Sequence, residues 1–221
     1  MSEPSTRTVE RALSLLADVC EKGSTSLADA ARAVDLSPST ALRLLRTLEA
    51  SGFVRRDDAG SYRAGSRLMQ LGARALGHES LIDLTHDDMR ALAAETGESV
   101  YLSVAGHADS ALYISIVEGS HSVRHTNWVG RTIPLEGSAA GVVLRGETPD
   151  AGFVVIERGI ERDVTALAAP ITASGRVAAV LSILVPSYRM SDATAQERGA
   201  LLAATAQRLS TGLSTGLTAE S

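Results

Sequence analysis

Apolar residues recur with a helical period through the first third of the chain and alternate through much of the rest. Val9, Ala12, Leu13, Leu16 and Cys20 stand at helical spacing and predict a helix over residues 6–21, which Lys22-Gly23 ends. On that pattern Cys20 is a small core residue. A second helix starts at Ser26, whose hydroxyl can cap it while Asp29 reaches back, and Leu27, Ala30, Ala31 and Val34 form its apolar stripe. After the short turn Asp35-Leu36, Ser37 is a good N-cap and Pro38 suits the first helical position, where its missing N–H costs nothing. Ala41, Leu44, Leu45 and Leu48 repeat the stripe, and Gly52 closes this third helix. Two short strands then flank the polar turn Asp57-Asp58-Ala59-Gly60, a hairpin by length and composition. Leu68, Leu71, Gly72 and Ala75 mark a linker helix ending near Gly77.

Beyond it the period changes. Glu98–Ala105 and Ser110–Glu118 alternate like paired strands across Gly106-His107-Ala108-Asp109. Ser122–Trp128, Phe153–Arg158, Val164–Ala169 and Val177–Val185 are further candidate strands, Ser138–Leu144 is a short helix, and Ser191 caps a closing helix from Asp192 to about Leu213. The fold class expected is α+β: a winged helix-turn-helix over residues 5–64 (motif about 26–47, wing about 53–63), a linker helix over 65–79, and an antiparallel sheet flanked by helices over 80–213.

Charge changes the picture of the first third. The whole chain of 221 residues carries −5, which argues weakly against nucleic acid, yet residues 1–78 carry +2 and the rest −7. Between Ser37 and Arg67 six arginines face only Glu49, Asp57 and Asp58. The third helix opens on Ser37, Ser39 and Thr40, whose hydroxyls and free backbone N–H groups suit phosphate oxygens, and no acid stands at its third position to repel them. Arg43 can bond a guanine edge and Arg46 a phosphate or the next base, though which of the two reads a base is open. Arg55, Arg56 and Arg63 would put positive charge on the wing. Double-stranded DNA is therefore the expected partner.

At these residues the sequence resembles the IclR family of bacterial transcription regulators. TRTVERALSLLADV is similar to that family's first helix, SLADAARAVDLSPSTALRLLRTLEASGFV to its helix-turn-helix, and SYRAGSRLMQLG to its wing exit and linker; IPLEGSAAGVVLRG, ALAAPI and LSILVPSYRM resemble its sensor domain. The resemblance implies a GAF-like effector domain over residues 80–213, a homodimer or dimer of dimers, and repression or activation of genes, with repression favoured, controlled by a small molecule such as a carboxylate or aromatic metabolite. It places effector contacts at Ser138, Ala139, Ala140, Pro170 and Ser182, and a free helix N-terminus at Gly137-Ser138 would suit a carboxylate. Two departures stand out: the stretch from Gly146 to Gly152 is shorter than the family's, and Leu184 stands where small-acid sensors tend to be polar.

Rival readings carry less. Gly137-Ser138-Ala139-Ala140-Gly141 is not a nucleophile elbow, and no glycine-rich phosphate loop is present, so neither an enzyme nor a cofactor is expected. One cysteine leaves no internal disulfide or multi-cysteine zinc site. His121 and His125, if on a strand, stand roughly 13 Å apart, too far to share an ion. No apolar stretch approaches the roughly 20 residues that span a bilayer, and MSEPSTRTVER lacks the apolar core of a signal peptide, so a cytoplasmic protein without membrane contact is expected. A winged-helix protein whose second half serves only for assembly remains the alternative.

Overall fold

Gly23, at φ +69°, ends the first helix, α1 (Arg7–Lys22), in the left-handed conformation that glycine adopts without strain. The computed structural model describes residues 6–77 and 81–216 and divides into two compact units, Met1–Glu79 and Ser80–Ser221, each taken here by itself.

In the first unit α1, α2 (Leu27–Ala33) and α3 (Pro38–Ala50) pack around Leu15, Val19, Ala30, Ala31, Ala41, Leu44 and Leu45. Ser26 caps α2 as the sequence predicts, accepting the Asp29 N–H at 3.1 Å, while the Asp29 carboxylate reaches back to the Ser26 hydroxyl at 2.7 Å. The expected stripe on α1 needs correction. Val9 and Leu13 are more than half exposed and Cys20 is exposed, while Leu15 and Val19 are fully buried. Two apolar stripes overlap on this helix, Val9-Ala12-Leu13-Leu16 and Ala12-Leu15-Leu16-Val19, each a complete i, i+3, i+4, i+7 set, and packing against α2 and α3 buries the second. The wing follows as β1 (Val54–Arg56) and β2 (Tyr62–Ala64), paired antiparallel, with buried Tyr62 anchoring it beneath the helices and Thr25 bridged to Tyr62. Gly65 leaves the wing where a side chain is impossible: a Cβ there would stand 2.1 Å from the Gly52 carbonyl oxygen. α4 (Ser66–Gly77) is the linker helix; residues 78–79 of the expected linker lie outside the described residues.

The second unit opens with α5 (Leu81–Thr96) and builds one antiparallel sheet of six strands, β3 (Ser99–Ala105), β4 (Ser110–Val117), β5 (Thr132–Pro134), β6 (Val154–Glu157), β7 (Val164–Ala173) and β8 (Arg176–Pro186), in the order β5-β4-β3-β8-β7-β6. Alternation sets its two faces. On β8, Ala179, Leu181, Ile183 and Val185 pack against α5 and the closing helix α7 (Asp192–Gly216), while Val180 and Leu184 join the opposite layer with α6 (Ala139–Leu144). Ser191 caps α7 as expected, accepting the Thr194 N–H at 3.2 Å.

Three strand expectations change. Ser122–Trp128 is not a strand: β5 takes the outer edge of β4, and the segment's carbonyls bond side chains instead, that of Val123 accepting from Arg189 at 2.8 Å and that of Thr126 from Tyr101. β5 itself, three residues long, is too short to show a period. Finally, β7 runs through Pro170 to a tight turn at Ser174-Gly175, both residues at positive φ. Pro170 is tolerated because β6 pairs with β7 only as far as Ala168, leaving its missing N–H without a ladder partner to lose.

A candidate nucleic-acid interface and a cavity in the second unit

The outer face of α3 is free. Ser39, Arg43 and Arg46 are exposed, Thr40 is half-buried, and neither guanidinium has an ion pair among the described residues. Ser37 is occupied by its capping duty: its hydroxyl accepts the Thr40 N–H at 3.3 Å and donates to the Thr40 hydroxyl at 2.9 Å. The first turn therefore offers fewer free amides than expected. Pro38 has none, the Ala41 N–H bonds the Ser37 carbonyl at 3.0 Å, and only the Ser39 amide lacks an acceptor among the described residues. No carboxylate stands in this turn.

On the wing the cations differ. Arg63 pairs with Asp57 at 2.8 Å, and that hydrogen bond, followed by the Ser61 N–H, holds the Asp57 carboxyl below its ordinary value. Arg56 donates to the Gly60 carbonyl at 2.9 Å and lies 5.9 Å from the Tyr62 ring centroid. Arg55 is exposed with no such tether among the described residues. An unpaired guanidinium loses no partner on meeting a phosphate, which ranks Arg43, Arg46 and Arg55 above Arg56 and Arg63 as contacts.

In the second unit a narrow cleft lies between the α6 face of the sheet and the segments on either side of α6. Ser138, Ala139, Ala140, Ser182 and Leu184 line it; Pro170 does not, since it sits opposite Val180, two register pairs beyond the Ala168–Ser182 pair. Ser138 acts as the cap of α6: it accepts the Gly141 N–H at 3.0 Å and donates to the Leu135 carbonyl at 3.2 Å. The expected free helix N-terminus is thus partly satisfied, and on a helix of only six residues. Ser182 is different. Its hydroxyl is buried, 2% exposed, and has no hydrogen-bond partner among the described residues.

Several cavity residues escaped the sequence reading. Tyr113, Trp128, Ile133, Ile156 and Glu161 are among the other wall residues. Behind them Tyr101 and Tyr113 meet at 4.9 Å between ring centroids, and His125 lies 4.8 Å from Trp128. His125, buried at 8% exposure, contacts the Tyr101 hydroxyl through Nδ1 and Glu161 through Nε2, each at 2.6 Å. Burial pushes both tyrosines' pKa well up, so both stay neutral. His121 turns the other way, its Nε2 3.6 Å from fully buried Glu98. The strand-spacing argument against a shared ion does not apply to a loop; what separates the two histidines is that each meets a different carboxylate. One sequence signal did exist: the chain has only seven aromatic residues, and three of them gather here.

Residues 8–58 match the IclR helix-turn-helix domain, and residues 73–156 match the bacterial transcriptional regulator IclR C-terminal domain, together more than half the sequence. The chain belongs to the IclR family of transcriptional regulators. It is 33% identical over 138 residues to the transcriptional repressor IclR of Escherichia coli, covering 61% of this chain and 50% of that protein. It is 27% identical to the regulator KdgR of the same organism, over 93% of this chain and 92% of that one. The chain thus spans about half the length of the first of these relatives and nearly all of the second. Its fold is shared with an IclR homolog from Microbacterium hydrocarbonoxydans crystallised with 4-hydroxybenzoate, at a TM-score of 0.76 and 21% identity, over 93% of this chain and 98% of that chain. In this IclR-family chain the stretch Gly146–Gly152 leads into Phe153, whose ring packs where Gly199 of α7 has no side chain.

Proposed function

We propose that this chain is a transcription regulator that docks α3 in the major groove of operator DNA and holds a small ring-bearing effector in the cavity of its second unit. The observation that carries the first half is the hydroxyl-tipped face of α3 with two unpaired, exposed arginines. The observation that favours sensing over assembly alone is the cavity itself, since an apolar pocket with a buried, unpartnered hydroxyl suits a ligand and serves no purpose in a scaffold. That a structural neighbour binds 4-hydroxybenzoate supports a ring-sized effector, and relatives named as repressors favour repression. A two-fold assembly would match paired half-sites.

The test is fluorescence anisotropy with DNA from upstream of the chain's own gene. Arg43→Ala, which touches nothing in the core, is expected to abolish specific binding while the circular dichroism spectrum stays unchanged. Unaltered footprints from that variant would remove α3 as the reading helix.

A further inference from the structure

The register of the wing sorts its arginines. β1 and β2 set Arg55 directly opposite Arg63, and Arg56 opposite Tyr62. Alternation then gives the hairpin two faces. Val54, Arg56, Tyr62 and Ala64 share one, where Tyr62 is buried and the Arg56 guanidinium lies over its ring. Arg55 and Arg63 share the other, and both are exposed. Like charges directly across a strand pair repel. Asp57, two residues beyond Arg55, relieves that repulsion from one side only. It accepts Arg63 Nε at 2.8 Å and leaves Arg55 without an ion pair among the described residues.

The turn holds this carboxylate in place. The Asp57 side chain is only 19% exposed, and its Oδ1 accepts the Ser61 N–H at 2.9 Å while Oδ2 takes Arg63. The backbone closes the same turn, the Asp57 N–H donating to the Ser61 carbonyl and the Gly60 N–H to the Asp57 carbonyl, each at 2.9 Å. Asp58, the next residue, is exposed and pairs with no arginine among the described residues. The neighbouring acids therefore differ: one is fixed onto a cation, and the other only adds charge to the tip. To a phosphate this face offers one free guanidinium, with a second directly across the ladder committed to a carboxylate. A phosphate approaching Arg63 must face Asp57 or displace it, so the salt bridge withholds attraction that carries no sequence information.

We propose that Asp57 is a positioning residue that withholds Arg63 from DNA, so that the outer wing face seats one phosphate through Arg55 where its cations could seat two. Sequence-independent binding is thereby kept low and discrimination is left to α3. The inference rests on the DNA-binding function proposed above, and the test keeps the two apart. Fluorescence anisotropy of the full chain is followed against salt on the duplex from upstream of its own gene and on an unrelated duplex of equal length. Asp57→Asn keeps an acceptor for the Ser61 N–H but releases Arg63. It is expected to tighten binding to both duplexes about fivefold and to steepen the slope of log K on log salt by about one unit. Arg63→Ala alone is expected to move the slope by less than about half a unit, and to cancel the gain when combined with Asp57→Asn. Arg55→Ala is expected to flatten the slope by about one unit. Asp58→Asn makes the same change in net charge and is expected to leave affinity and slope as they are. With wild-type protein that binds DNA, an Asp57→Asn variant that binds no tighter would overturn the inference and leave the DNA-binding function standing. So would a full unit of slope lost in Arg63→Ala alone, a slope unmoved by Arg55→Ala, or an equal gain in Asp58→Asn. Wild-type protein that binds neither duplex would overturn both together.

Discussion

Glu98 is fully buried, and removing its carboxylate should cost the second unit a large part of its stability. Both oxygens are committed. Oε2 accepts from Arg189 Nη2 at 2.8 Å, and Oε1 accepts from Arg189 Nε at 3.2 Å and from Arg198 Nη1 at 3.1 Å, with His121 at 3.6 Å. The Arg189 and Arg198 side chains are only 20% and 17% exposed, so they could not recover full hydration in its absence. Hydrogen bonding to Glu98 raises the Arg189 pKa further above its ordinary value, so that charge cannot be shed. Breaking a buried pair from one side costs about 3–5 kcal/mol, against a total stability of about 5–15 kcal/mol for an ordinary domain. Glu98→Ala should therefore shift the urea midpoint strongly, and Glu98→Gln, which keeps the shape and one acceptor, should lose less. The same arginine grips the Val123 carbonyl at 2.8 Å and so holds the loop that brings Trp128 to the cavity wall with His125 behind it; ligand binding should weaken along with stability. A change below about 1 kcal/mol in Glu98→Ala would refute the view that this carboxylate is the anchor.

Three other outcomes are expected. Gly199→Ala places a Cβ 2.1 Å from the Phe153 ring and should destabilise by about 1–3 kcal/mol, read by thermal melting; an unchanged melt would mean that the ring has room to move. Because Tyr101 and Tyr113 are held neutral, their folded pKa lies above the unfolded value of about 10; the stability this gives is present below that pH and is lost as pH rises through it, so melting against pH should fall in the alkaline range and phenolate absorbance from two of the four tyrosines should lag until unfolding. Binding to DNA should weaken steeply with salt, and Arg46→Ala should reduce the slope by about one unit if Arg46 meets a phosphate; no change of slope would assign it to a base instead.

The helix-turn-helix was legible because its determinants are local. Ser26 with Asp29, and Ser37 with Pro38, mark the helix starts within three residues, and a stripe on α2 and another on α3 reach one core. α1 was misread only because two stripes overlap there, and tertiary packing chooses between them. In the cavity the determinants are distant. β3 pairs with β8 across some 80 residues, which puts Tyr101 beside Ser182, and the contact of His125 with Glu161 spans 36 positions of sequence. No periodicity reports such meetings. The resemblance pointed to Ser138 and Ser182, but Trp128 and Glu161 come from a loop read as a strand and from the turn before β7, where side-chain contacts set the geometry.

The alternation along β8 has a consequence for how such a protein can change its diet. Odd-numbered residues from Ala179 to Val185 are spoken for by the helical layer, while Ser182 and Leu184 look the other way into the cavity. Relatives that acquire a new chemical taste along this strand should do so by exchanging every second residue, and any insertion within it would trade appetite and architecture at one stroke.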